Sequence, residues 1–234
     1  MYVPPHFKQE DLPVLHDAIR QSGLATLVTF GADGIEASHV PVLLDSEPAP
    51  FGTLHGHIAR NNPQWQRAAA NVHALAIFLG PDAYISPSWY ATKRETGKVV
   101  PTWNYVAMHV YGPVQFFDDA DRLLAHVTKL TEAHEGRRAA PWAVTDAPED
   151  YIRRQLTAII GFEIPIVRLE GKWKMSQNRS AQDRIGVVEG LVREGGAGET
   201  AVAKSVAAVN TDAGIRGDQR GSSDTAVEAS GGAT

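Results

Sequence analysis

Apolar and polar positions along this chain keep changing period, in an order that predicts short-linked strands with a few helices between them. The opening is helical. Leu12, Leu15, Ala18 and Ile19 share one helix face, Asp11 is placed to cap it, Pro13 sits in the first turn, and Gly23 stops it. Alternation with period two then takes over at 24–30 and 35–44, and again at 53–58 after a Pro-rich loop. The Gly31-Ala32-Asp33-Gly34 segment between the first two runs predicts a hairpin. Asn62 caps a short helix with Pro63 at its first position, and further strands are predicted at 74–79, 99–111 and 114–117. Helices follow at 118–134 and 148–159, then a long strand at 162–175 and a closing helix at 180–192. Six or more strands with few helices indicate an α+β chain built on an antiparallel barrel.

From residue 194 to 234 there is no aromatic residue, Leu, Met or Pro, and Gly, Ala, Ser and Thr dominate. Such a segment is expected to bury too little to offset the entropy of ordering it, so 194–234 reads as a disordered tail behind a domain at 1–193. The formal charge is −5, and the tail carries six acids against three bases, leaving the body nearly neutral. No basic stripe of the kind that holds duplex DNA is present, so direct DNA contact is not expected. The chain has no Cys, which excludes disulfides, cysteine–zinc sites and thiol nucleophiles. No run nears the roughly 18 apolar residues of a membrane span, and no leader pattern opens the chain, so the expected location is the cytoplasm.

Four segments are more polar or aromatic than strands need. At 54–63 a strand runs into a helix start and delivers Arg60 and Asn61 to the junction, where a guanidinium beside free backbone N–H groups can cradle a phosphate; a plain turn with a solvated Arg remains open. His55 and His57 share a strand face, with His39 on the neighbouring strand, but with no nearby carboxylate other than Glu36 on the paired strand they read as core or interface histidines rather than metal ligands. Between Ala83 and Tyr105 stand two Trp and three Tyr among small hydroxyls and an amide, which suits a planar heteroaromatic ligand, a subunit interface or barrel filling. At 172–179, Lys174, Ser176 and Asn178 fall on one face if the strand continues, a row of donors. At 35–42, Pro41 interrupts an apolar strand and leaves neighbouring backbone groups for a ligand edge.

Met1-Tyr2-Val3-Pro4-Pro5-His6-Phe7, His57 to Trp65, Tyr84 to Tyr90, Val99 to Tyr105 and Lys174 to Arg179 together resemble the signature stretches of the PaiB family of FMN-binding negative transcriptional regulators. The five blocks come in the family's order across nearly the whole of 1–192. The resemblance implies a split β-barrel similar to that of pyridoxamine phosphate oxidases and flavin reductases, with peripheral helices and FMN at a homodimer interface. It gives Arg60 and Asn61 the phosphate, with Ala59 where a hydroxyl residue often stands. Ser38, Val40 and Pro41 are expected along the ring edge, and Trp103, Asn104 and Tyr105 near the ring or across the interface. Lys174 and Ser176 are expected where the oxidases hold substrate. It implies negative regulation of transcription, with an FMN-dependent oxidoreductase using a nicotinamide nucleotide as the alternative.

Overall fold

The computed structural model describes residues 1–69 and 72–221. They divide into two compact units: one holds 1–3, 8–80 and 107–172, the other 4–7, 81–106 and the chain from 173 onward.

The first unit carries all or part of nine strands. These are β1 (Lys8–Gln9), β2 (Leu24–Gly31), β3 (Gly34–Asp45), β4 (Thr53–Ala59), β5 (His73–Ile85), β6 (Thr102–Pro113), β7 (Gln115–Phe117), β8 (Ile159–Pro165) and β9 (Arg168–Lys174). Their order is β1-β9-β6-β5-β2-β3-β4-β8-β7, an open antiparallel run with the shape of a split barrel. β3 is the bridge. From Gly34 to Pro41 it pairs with β2, and from Val42 to Asp45 with β4. Pro41 stands at that hand-over, paired with Leu24 at the end of the β2 ladder. A residue with no N–H to donate is tolerated where a ladder ends. The hairpin predicted at Asp33-Gly34 is present, closed by Gly31 opposite Gly34.

Helix α1 (Leu12–Ser22) is capped as expected: Asp11 accepts from the Val14 N–H, and Gly23 ends it at φ +63°. α2 (Gln64–Arg67) is a single turn. α4 (Ala120–Glu135) and α5 (Glu149–Leu156) complete the first unit, while α3 (Ala91–Thr96) belongs to the second. The strand expected over 162–175 is two strands, broken after Pro165, and the strand expected from 99 begins only at Thr102, after Pro101.

The β2, β3 and β5 part of the sheet is apolar on both faces. Ala25, Leu27, Ala74, Ala76 and Phe78 are buried on the inner one. The other presents Leu24, Phe30, Ile35 and Leu79 as exposed residues, with Val28 opposite Leu75 and Thr26 opposite Ile77 between them.

In the second unit, α6 (Ala181–Glu194) packs on the turn at Pro87–Trp89 and on α7 (Ala197–Gly221). Gly190 is required there, because a Cβ would stand 2.2 Å from the Trp89 ring. α7 corrects the expected disordered tail over 197–209: Val202 and Val206 are fully buried and Ala203 nearly so. Two valines at i and i+4 suffice as an anchor when another helix lies alongside. The rest of the expected tail, 222–234, lies outside the described residues. Among the described residues no helix is long and apolar enough to cross a membrane.

Candidate functional site

β4 ends at Ala59 and the chain turns through Arg60, Asn61 and Asn62 into α2. Arg60 is held from three sides. Its Nε donates to the Thr157 carbonyl (2.7 Å), its Nη2 to the Ile159 carbonyl (3.3 Å), and Nη1 lies 3.6 Å from Asp118. The side chain therefore ties the end of β4 to the start of β8, and the capacity left lies on Nη1 and the second N–H of Nη2. α2 is too short to develop a macrodipole, so the helix contribution expected at this junction is small. The donors are instead local. Asn62 Nδ2 donates to Ser38 Oγ (2.7 Å), and its Oδ1 accepts from the Gln64 N–H (3.0 Å). Asn61, exposed between them, makes no hydrogen bond to any described residue.

Gln64 anchors the turn from beneath. It is buried, and its amide reaches the Leu27 carbonyl, Thr29 Oγ1 and the Glu36 carbonyl at 3.1–3.3 Å. Gln64 Oε1 and Glu36 Oε2 are buried without a donor. Arg67 pairs with Glu36 (2.7 Å) and Asp33 (3.4 Å). The three ring-edge residues divide between faces. Ser38 and buried Val40 share one side of β3, and Pro41 takes the other by the period of two.

The other five predicted site residues lie in the second unit. Asn104 and Ser176, both buried, satisfy each other: Asn104 Nδ2 donates to Ser176 Oγ (2.9 Å), which lies 3.3 Å from Asn104 Oδ1. Ser176 holds φ +61°, a left-handed conformation rare for Ser. Regular alternation therefore ends at Lys174, and the row of donors expected from Lys174 through Asn178 does not form. Lys174 donates to Thr102 Oγ1 (2.5 Å) and to the Trp103 carbonyl. Trp103 is exposed and meets Tyr84 edge-on, ring centres 6.0 Å apart, and Tyr105 is half-buried.

The histidines do not gather. His39 Nδ1 lies 3.1 Å from Thr26 Oγ1, and His55 lies 3.5 Å from Glu163. His57 Nδ1 stands 3.0 Å from Nε2 of His126 on α4. Burial pushes the His126 imidazole down to about 4, helped by the charges of His57 and His55, and burial also lowers His57. No group of three ligands that could hold a metal occurs among the described residues. Sequence reasoning missed His126, because its partner stands 69 positions away. It also missed Gln64, whose burial no local pattern signals.

The sheet, its two-part β3 and this polar turn define an antiparallel split barrel of the flavin-binding kind. The chain belongs to the family described as "Putative FMN-binding domain", whose model matches residues 1–168 and assigns FMN as the cofactor. It is 32% identical to protease synthase and sporulation protein PAI 2 of Bacillus subtilis, over 83% of this chain and 90% of that protein. It is 35% identical to a protein of Aspergillus fumigatus, over 88% of this chain and 96% of that one. Among solved structures it resembles the FAD and heme binding protein of Mycobacterium smegmatis, with a TM-score of 0.52 at 14% identity, over 81% of this chain and 80% of that one. That last likeness is one of fold.

The residues present fit a flavin's polar tail. Asn61 is an amide without a partner among the described residues, Ser38 is a hydroxyl with a lone pair to spare, and Arg60 has one guanidinium nitrogen facing a carboxylate at 3.6 Å.

Proposed function

We propose that this chain is a homodimeric FMN-binding protein acting in negative regulation of transcription, in the manner of its PaiB-type relatives. The observation that carries the FMN site is Asn61, without a partner among the described residues and next to Asn62, which donates to Ser38. Ser38, Asn61 and the Nη1 edge of Arg60 take the phosphate and ribityl end, and backbone groups of Val40 and Pro41 border the ring. Bound FMN supplies a redox-active ring; the protein's own groups bind and orient it.

The dimer reading is supported by the exposed apolar face of β2, β3 and β5. Ile35 is 74% exposed and Leu79 69% exposed, with Leu24 and Phe30 also exposed on the same strand surface. A contiguous apolar patch of this kind marks an interaction surface. The name of the Bacillus relative, which refers to protease synthase and sporulation, supports the regulatory reading. The net charge of −5 and the absence of a basic stripe in the sequence count against direct DNA contact.

The test combines spectra with expression. Purified chain should take up FMN and keep its flavin band when NAD(P)H is added, and gene deletion should raise the transcripts it controls. Bleaching of the band by the nicotinamide, with transcripts unchanged, would contradict the proposal and identify an FMN-dependent oxidoreductase.

A further inference from the structure

Beneath α4 the first unit holds a groove of about 730 Å3 that the flavin turn does not use. Its floor is Leu43, Leu44 and Asp45 of β3, His55 of β4 and Glu163 of β8, and Arg20 of α1 closes one end. A helix laid on a sheet ordinarily buries an apolar stripe. α4 buries only Leu123 and His126. The stripe it turns to the groove is Arg122, Ala125, His126, Lys129, Glu132 and Ala133, whose apolar members are two alanines. With no large apolar side chain to fill the gap, helix and sheet stand apart and leave room for a molecule.

The charges along the groove are unevenly used. At one end Arg122 is fixed, with its Nη2 at 2.8 Å from Glu163 and its guanidinium 3.8 Å over the Phe117 ring. Asp45 is occupied by the Glu47 N–H (3.1 Å). Arg20 reaches only Asp17, at 3.5 Å on its own helix. Lys129 has neither a hydrogen bond nor an ion pair with any described residue, and Glu132 stands likewise free one turn further along. Next to Lys129, His126 is held by His57, and its Nδ1 is buried without a partner. The middle of the groove thus offers a free ammonium and the His55 imidazole, with Leu43, Ala125 and Ala133 as apolar walls. The volume suits one small organic ligand.

We infer that this groove binds a small, flat organic anion, its acidic group at Lys129 beside His55 and its ring against Leu43, Ala125 and Ala133. The site is separate from the FMN turn and does not rest on the FMN reading.

The full chain, loaded with FMN, is titrated by calorimetry with anilinonaphthalene sulfonate, a flat anion, and with its uncharged parent phenylnaphthylamine. Lys129→Glu should weaken the sulfonate roughly tenfold, the size expected for a lost charge-assisted hydrogen bond, and leave the uncharged parent unaffected. Ala125→Trp should fill the groove and abolish binding of the sulfonate. Neither change should alter melting temperature or flavin affinity. Sulfonate binding that survives both substitutions places the dye on the apolar sheet face and overturns the site, as does an absence of binding. Sulfonate that binds only to FMN-free protein overturns it too, by putting FMN in the groove. Chain that takes no FMN yet binds the dye with this variant pattern keeps the groove and removes the FMN reading alone.

Discussion

The predicted flavin residues fall into two clusters with opposite character. In the first unit Ser38 is half-buried and Asn61 exposed, and the Asn61 amide has no partner among the described residues. In the second, Asn104 and Ser176 are buried and close on each other, and Ser176 holds a strained backbone to do so. Spare hydrogen-bonding capacity at a surface is what a ligand can use. A buried pair that satisfies itself holds the chain in place, and the strain at Ser176 persists because its surroundings over-determine it. On the proposed reading a flavin would contact the first cluster, and the second holds its own unit in place.

The largest expected effect lies on the supporting side. Val206→Asp places a charge at a fully buried position of α7 and should lower stability by about 4 kcal/mol, read as a lower urea midpoint. An unchanged midpoint would mean that α7 does not dock. Next comes a part-buried pair in the first unit, His57 with His126. The His126 pKa is depressed in the folded chain to about 4, from 6.5. The unfolded chain therefore binds the proton more readily, and stability is intact above about pH 6.5 and falls as the pH drops toward 4, by up to about 3 kcal/mol. His126→Phe should flatten that slope. Asn104→Ala should cost about 2 kcal/mol by leaving Ser176 without its partner, a drop of roughly 4–8 °C in Tm. At saturating FMN its flavin stoichiometry should stay normal, and a lost flavin with an unchanged Tm would reverse the roles of the two clusters. Smallest is Ser38→Ala, which should weaken FMN by about five-fold with Tm unmoved, as measured by flavin fluorescence quenching.

Much of the fold was legible because it is written locally. Asp11 and Gly23 bound α1, Asp33-Gly34 turns the hairpin, and Pro41 marks where β3 changes partners. What was not legible depends on residues far apart in sequence. Arg60 suits a phosphate by position, yet its guanidinium is mostly engaged by carbonyls 97 and 99 residues away. The tail lacks aromatic anchors, and composition alone does not reveal that Val202 and Val206 meet a neighbouring helix. Ser176 looked like a strand position until a left-handed turn ended the alternation.

The measurement that bears most directly on the account is light scattering with simultaneous flavin absorbance on the purified chain, mixed with FMN and passed through a sizing column. A homodimer built on the exposed face of β2, β3 and β5 should elute at twice the 25.3 kDa chain mass with FMN bound, and Ile35→Lys on that face should release colourless monomer. A wild-type chain that elutes as a monomer, or as a dimer without flavin, would contradict it.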